Sequence, residues 1–169
     1  MTAVGQVKRA VAAAIKAAGC AAIESYSEEQ LKRYATAVAA VGTKETVIEE
    51  SGAAQYLGEK VDEATQETVS VYGRKMLLTL LIEVYAPRTL GAAGCEKAAE
   101  VVTQALMTAL REGLKLGSLQ WGKTGWDKTT GMFRLDASAK YAAYFVAEAA
   151  EDETVFTDFI LKGTVKERE

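Results

Sequence analysis

The chain has 169 residues, a net charge of −3 at pH 7 and a hydrophobic fraction of 49%. This length and composition predict a single domain, residues 1–169, with one packed core, and they argue against a disordered chain. The absence of histidine excludes histidine-dependent triads and histidine zinc sites within this sequence. The basic residues form no stripe, which disfavours nucleic-acid binding as the main activity.

The two cysteines, Cys20 and Cys95, are too few for a disulfide framework or a four-thiolate zinc site. We therefore expect both thiols to be reduced and buried. Residues 4–22 are rich in alanine but contain three basic side chains, whereas a membrane-spanning helix needs roughly 20 nearly unbroken apolar residues. No signal peptide is recognisable at the N-terminus, so we expect the chain to be in the cytoplasm while it is made.

The first third of the sequence contains two helical signals and the patterns of a strand and a loop. Apolar residues recur at spacings of three and four from Val4 to Ile15, and Gly19 follows where a helix cap belongs. This segment is predicted as an amphipathic helix. The pattern then predicts a helix cap and first turn at Ser27, a strand over residues 34–50 with a bulge at Gly42, and a surface loop over residues 51–64.

The longest apolar stretch covers Thr68–Ala86 and ends at Pro87, the only proline of the chain. Both faces are apolar in its middle, which fits a strand buried on both sides and also fits a buried helix. Valine, threonine and tyrosine at both ends, together with the proline, favour the strand. Residues 91–113 follow with strong helix formers and one apolar stripe, so they predict a helix.

The last third of the chain predicts three strands. The first covers residues 114–121, and a turn-rich hairpin connection, residues 122–131, leads to a long strand with period-two alternation. Residues 140–150 alone would also fit an alanine-rich helix. A final strand is predicted over residues 155–164. In the long strand we expect a core side with Phe133, Leu135, Tyr141 and Phe145, and an opposite side with Arg134, Asp136 and Lys140.

The predicted order is helix, strand, strand, helix, strand, strand, strand. Grouped strands with the helices apart are typical of the α+β class. We therefore expect an antiparallel or mixed sheet of about five strands packed on two main helices.

A phosphate-binding pattern, G-x-x-x-x-G-K-[ST], is matched by Gly117, Gly122, Lys123 and Thr124. A working phosphate loop follows a strand and opens a helix, because backbone amides at the helix N-terminus bind the phosphates. Here turn formers and another predicted strand follow the pattern. We expect no cofactor, and a nucleotide-binding domain using residues 117–124 is the less favoured alternative.

Three groups of adjacent acids, at residues 49–50, 62–63 and 151–153, consist of the residue type that general acid–base chemistry uses. They lie beside small or polar residues in predicted loops, where solvated charges are the usual outcome. No serine or cysteine has a histidine as its base. We therefore expect no catalytic residues, no metal site and no enzymatic activity.

The chain has more apolar strand surface than one core needs. The segment from Met76 to Tyr85 is apolar on both faces, and Met132, Tyr144 and Val146 fall on the polar face of the long strand. Exposed apolar surface of this kind marks contacts between proteins. We therefore predict a subunit interface that contains Met76, Leu78, Tyr85, Met132 and Tyr144.

Four short segments form a recognisable set: VYAPR at residues 84–88, GC at residues 94–95 where a helix begins, DKTTGMFR at residues 127–134 and FTDFILKG at residues 156–163. Together they resemble small tail-morphogenesis proteins of prophages and contractile phage-like particles. The nearest role in that family is the tail terminator, also called the tail completion or head-tail joining protein. The similarity covers residues 56–163 and carries no catalytic residues.

The resemblance implies an α+β virion subunit that assembles into a closed ring with six-fold symmetry. Such a ring caps the tail tube, stops its growth and joins it to the neck. The implied partners are further copies of the chain and the tube, sheath and neck proteins; DNA only passes through the lumen, for which a mildly acidic chain is suited, and no membrane is involved. The implied location is the tail-neck junction of the virion, and the host cytoplasm during assembly. A small adaptor or assembly chaperone of a phage-like particle is the alternative.

Overall fold

The computed structural model describes residues 3–50, 55–108 and 114–146, which form three helices and seven strands. The helices are α1 (Ala3–Ala17), α2 (Glu28–Leu31) and α3 (Gly91–Thr108). The strands are β1 (Ala21–Ile23), β2 (Val38–Glu49), β3 (Tyr56–Val61), β4 (Thr68–Ala86), β5 (Lys115–Trp121), β6 (Gly125–Asp127) and β7 (Met132–Val146).

The chain divides into two compact units, and the first comprises residues 1–51 and 74–145. In the second unit, β3 pairs antiparallel with the first residues of β4. The rings of Tyr56 and Tyr72 meet edge to face across this hairpin, with centroids 5.8 Å apart. Asp62 stabilises the connecting turn, because its side chain accepts hydrogen bonds from two backbone amides that follow it.

A mixed sheet organises the first unit, with the strand order β1-β2-β4-β7-β5 and with β6 paired to β7. With β3 of the second unit, which pairs with β4, the connected strands number seven. β1 runs parallel to β2, whereas the β2–β4, β5–β7 and β6–β7 pairs are antiparallel. Two contacts give the direction of β7 beside β4. Arg134 of β7 forms an ion pair with Glu83 of β4. Ser138 of β7 accepts a hydrogen bond from Lys44, the bulge residue of β2, whose neighbours pair with Leu80 and Thr79 of β4. Rising numbers on β7 thus meet falling numbers on β4, and this pair is antiparallel too.

Helices α1 and α3 supply one side of the main core, and the central strands supply the other. Val11 and Ile15 of α1 and Val102 and Leu106 of α3 are buried there. Side chains alternate between the two faces of a strand, so every second residue over part of β4 and part of β7 reaches this core. These residues are Leu78, Leu80, Ile82 and Val84 on β4 and Leu135, Ala137, Ala139 and Tyr141 on β7.

A smaller core lies on the opposite face of the sheet, where α2 supplies the fully buried Leu31. Leu31 clusters there with Val38, Tyr85 and Met132. The side chain of Ser27 accepts a hydrogen bond from the third residue after it, which satisfies a free amide at the first turn of α2. This cap fixes where the short helix begins.

The long predicted elements agree with the structure. The strand alternative for Thr68–Ala86 is confirmed over the buried helix. The amphipathic helix ends before Gly19, whose φ of 95° is a conformation that suits glycine. The α3 helix begins at Gly91, and the long alternating strand is β7 up to Val146, rather than a helix from residue 140.

The short elements differ from the predictions. The sheet has seven strands instead of about five, because β1, β3 and β6 have only three to six residues and are too short to show a period. β3 lies within the segment predicted as a loop, and β6 lies within the predicted hairpin connection. The bulge in β2 falls between Thr43 and Glu45 rather than at Gly42. The predicted helix residues 109–113, the predicted strand over residues 155–164 and the Phe145 side chain lie outside the described part.

Two adjacent leucines test the assignment of faces on β4. Leu80 is fully buried in the main core, and Leu81 is half-buried on the opposite face. We expect Leu80→Ala to lower the free energy of unfolding by about 2–5 kcal/mol, because it leaves a cavity. Leu81→Ala should lower it by less than about 1.5 kcal/mol. Urea unfolding followed by circular dichroism measures both, and equal losses would show that the faces are assigned wrongly.

Candidate functional site

The segment that matches the phosphate-binding pattern lies on β5 and in the connection after it. Gly117 is the extra residue of a bulge in β5, and Lys123 is exposed. The next element is β6, which pairs with the start of β7, so no helix begins after Lys123. The amide of Gly122 already donates to the Asp136 carbonyl at 2.7 Å. The segment therefore lacks the strand-to-helix arrangement that phosphate loops use.

The turn from β6 to β7 is organised by Asp127. Its Oδ2 accepts a hydrogen bond from the Thr130 hydroxyl at 2.6 Å, and its Oδ1 accepts one from the Thr129 amide at 3.2 Å. Gly131 completes the turn with a φ of 67°. A short polar side chain bonded to the backbone ahead of it is a common way to fix a turn. The DKTTG sequence of the resemblance is thus a turn motif.

A cluster of ion pairs joins β4 to β7. Arg134 Nη2 lies 2.8 Å from Glu83 Oε1, and the guanidinium also binds both carboxylate oxygens of Asp136, at 2.7 and 2.8 Å. The Tyr85 hydroxyl donates to Glu83 Oε1 at 3.2 Å, and Glu83 is only 8% exposed. One guanidinium thus pairs with two carboxylates. Because these charges already have partners, the cluster ties two strands together and presents no free reactive group.

Burial sets the protonation of this cluster. Burial raises the pKa of Glu83, and the adjacent Arg134 lowers it again in part. Burial also raises the pKa of Tyr85, which therefore donates as a neutral phenol. The hydrogen bond from Thr130 lowers the pKa of Asp127, which stays a carboxylate. A recess of about 190 Å³ opens beside the cluster and is lined by Lys123, Gly125, Trp126, Asp127, Arg134 and Asp136.

An apolar groove of about 440 Å³ lies between α3 and the edge strand β5. Trp121 forms part of its wall, and the indole Nε1 donates to the Thr103 hydroxyl at 2.9 Å. That hydroxyl donates in turn to the Ala99 carbonyl at 2.8 Å. Met107 also lines the groove and is 67% exposed. The indole is thereby held in place beside an exposed apolar side chain, which is a surface suited to contact with another protein.

The five residues predicted for a subunit interface do not lie together on the surface. Met76, Leu78, Tyr85 and Met132 are all buried within the chain. Leu78 faces the main core, and Tyr85 and Met132 fill the smaller core beside Leu31. Tyr144 is 57% exposed. The interface stays a prediction, and of these five side chains Tyr144 is the one that a partner can reach.

Other exposed apolar residues were missed by the sequence patterns. Val47 and Ile48 of β2 are 39% and 48% exposed, and Met107 of α3 is exposed as well. Leu77 and Leu81 of β4 are half-buried, on the face opposite to Leu78. The segment around β4 is apolar on both faces, so its sequence does not say which face the helices cover. In the sequence, Val47 and Ile48 are the last two apolar residues of the strand predicted over residues 34–50.

No family model matches the chain, and no curated protein is significantly similar to it. Among the described helices, none is both long and apolar enough to cross a membrane. The described residues also contain no group of three or more cysteine or acidic side chains placed to hold a metal ion.

The ion-pair cluster predicts a pH-dependent loss of stability in Arg134→Met. Without Arg134, the Glu83 carboxylate stays buried without its cation, and its folded pKa rises further above the unfolded value. The charged form then destabilises the fold, so the loss should appear as pH rises through that folded pKa. We expect a loss of about 1–3 kcal/mol at pH 8 and a smaller one at pH 5. Urea unfolding at both pH values measures this.

A second substitution serves as the control for that experiment. Adding Glu83→Gln to Arg134→Met removes the group that titrates, so the two pH values should then give similar losses. A pH dependence that survives in the double variant would contradict the role of Glu83. The pKa of Asp127 shifts in the opposite direction, mainly through the hydrogen bond from Thr130, and Arg134 adds to that shift. Because both variants lack Arg134, the effect of Asp127 cancels between the single and the double variant.

The structure around the phosphate-binding pattern predicts that the chain has no affinity for nucleotides. We expect ATP to bind no more tightly than about 100 μM, since a tighter complex of about −5.5 kcal/mol needs a formed pocket. Isothermal titration calorimetry with the purified chain measures this. Tighter binding that is lost in Lys123→Ala but kept in Lys128→Ala would restore the nucleotide-binding alternative.

Proposed function

We propose that the chain is a structural virion protein, the tail terminator of a contractile, phage-like particle. In this role it forms a closed homo-oligomeric ring, with six copies, on the end of the tail tube. The ring stops tube growth and joins the tail to the neck. Its partners are further copies of itself and the tube, sheath and neck proteins. It acts at the tail-neck junction after assembly in the host cytoplasm.

The observation that carries this proposal is a contact between three of the resembling segments. The Cys95 thiol lies 3.2 Å from the Phe133 carbonyl and 3.6 Å from the Val84 carbonyl, so both acceptors are within reach of its one hydrogen. These residues belong to the GC, DKTTGMFR and VYAPR segments, which lie far apart along the chain. Segments that resemble one family thus meet around one buried side chain, which supports a shared fold. The fourth segment, residues 156–163, lies outside the described part.

Exposed apolar side chains support the assembly of several copies. Ile48 on β2, Met107 on α3 and Tyr144 on β7 are 48%, 67% and 57% exposed. They lie on different elements, as a head-to-tail contact requires, because each subunit then uses two different patches. Such a contact closes into a ring when its rotation fits. The net charge of −3 would let DNA pass through the lumen without adhering.

Tail length and head attachment test the proposed role. Removing the gene should leave tails of uncontrolled length or without heads, since nothing stops tube growth or binds the neck. Electron microscopy of purified particles measures both. Tails of normal length with heads attached would reject the terminator role and favour the adaptor or chaperone.

A substitution at Tyr144 adds a test that leaves the chain in place. Tyr144→Glu puts a charge on an exposed apolar site of β7 and should reproduce the tail defect. Tyr144→Phe keeps the apolar surface and should leave tails normal. Circular dichroism should be unchanged in both variants, because this side chain is not in the core. Normal tails with Tyr144→Glu would remove Tyr144 from the proposed interface.

A further inference from the structure

The main sheet has two free edges in the described part of the chain. β1 pairs only with Val38, Ala39 and Ala40 of β2, so the rest of β2 has a strand on one side only. β5 ends the strand order on the other side and pairs with β7 alone. The residues of β2 after the bulge, residues 45–49, are all exposed. Each edge thus offers backbone groups that another strand can pair with.

The directions of the strands determine how two copies can share these edges. β2, β4, β7 and β5 alternate in direction, so β2 and β5 of one chain run opposite to each other. A second copy laid beside the first, with the same face toward its helices, therefore places its β2 antiparallel to the first copy's β5. The sheet then continues from one copy into the next.

One register matches the side chains of the two edges on both faces. Thr46 and Ile48 pair with Leu78 and Met76 of β4, so they share the face of the main core. On β5, Leu116 and Leu119 pack against that core, and the bulge at residue 117 keeps them in phase. The matching register sets Glu49 opposite Lys115, Ile48 opposite Leu116, Val47 opposite Ser118, Thr46 opposite Leu119 and Glu45 opposite Gln120.

The charges of the two edges favour this pairing over pairing of like edges. The only charged residue of β5 is Lys115, and the charged residues of the β2 segment are Glu45 and Glu49. In the matched register Lys115 meets Glu49, and cross-strand pairs of opposite charge stabilise a sheet. Two β2 edges in antiparallel register would instead set Glu45 of one copy opposite Glu49 of the other. Like charges in that position are destabilising.

The helix-covered side of β5 is the side on which the second copy would place Ile48. The apolar groove is bounded by Met107 and Trp121 on the helix-covered side of β5. Ile48 is 48% exposed and lies on the same side of the sheet. Pairing of the two edges brings this side chain against Leu116, five positions before Trp121 along β5. An exposed isoleucine is then removed from water.

We propose that consecutive subunits are joined by β-strand addition, with residues 45–49 of one copy on β5 of the next. The occupant of each edge is therefore a second copy of this chain. Tyr144 lies two residues beyond Ala142, which pairs with Lys115, and is thus next to the same contact. The closure of this contact into a ring rests on the proposed tail function, whereas the pairing needs only two copies.

Disulfide trapping tests the pairing in the purified full-length chain. Val47 and Ser118 are both exposed and lie opposite each other in the matched register. The variant with Val47→Cys and Ser118→Cys carries one introduced thiol on β2 and one on β5, so each contact between two copies brings two thiols together. Mild oxidation should link it into a ladder of dimers and higher species on a non-reducing gel. The native Cys20 and Cys95 are buried, and any ladder that the parent chain forms through them gives the background level.

The matched control moves one cysteine by a single residue. Thr46→Cys with Ser118→Cys puts the two thiols on opposite faces of the shared sheet and should give at least ten-fold less ladder. Both variants must show the unfolding midpoint of the parent chain. The absence of a ladder from the 47/118 variant, or an equal ladder from the 46/118 control, overturns the pairing.

Charge reversal gives a second measurement that uses no thiols. Glu49→Lys alone and Lys115→Glu alone, each in the 47/118 background, should reduce the ladder at least five-fold, and the two together should restore it. Failure of the restoration overturns the register. A ladder combined with normal tails in the gene deletion keeps the pairing and rejects the terminator role. Defective tails without a ladder keep the role and reject the pairing.

Discussion

The phase of side chains along β4 is the constraint on which the rest of the first unit depends. β4 lies between β2 and β7, so the face that its residues present decides what both neighbours present. A slip of one residue would move Leu80 and Ile82 out of the main core. Glu83 holds this phase from the opposite face through Arg134, and Cys95 holds it from the helix side through Val84. Both contacts are specific to one register.

The sequence patterns predicted those elements that repeat a period several times. Thr68–Ala86 and β7 are long enough for alternation or apolar length to indicate a strand, and α1 carries four apolar positions on one face. Three-residue strands such as β1 and β6 form because a neighbouring strand offers hydrogen-bond partners, which local sequence does not encode. β3 was missed for a related reason, because it has only six residues, with a glycine and two charged residues in its middle, and its apolar residues show no regular alternation.

The candidate site was harder to predict than the fold because burial depends on tertiary contacts. Met132 falls on the polar face of β7, yet it is buried since α2 brings Leu31 over that end of the sheet. Met76 and Leu78 belong to a stretch that is apolar on both faces, and only the docking of α1 and α3 decides which face is covered. Arg134 was correctly predicted on the side opposite the core. Its partner Glu83 lies 51 positions earlier in the chain, so no local sequence pattern indicates this ion pair.

The two free edges show how one subunit can avoid indiscriminate pairing and still assemble. Charged side chains and bulges are the usual protection of exposed edges, and β2 and β5 each have both, with bulges at Lys44 and Gly117. In the segments that pair, the protecting charges have opposite signs, Glu45 and Glu49 on β2 and Lys115 on β5. Like charges therefore still oppose the pairing of two β2 edges, whereas opposite charges favour the pairing of a β2 edge with a β5 edge. A contact between unlike edges is heterologous, and heterologous contacts are those that can close into a ring.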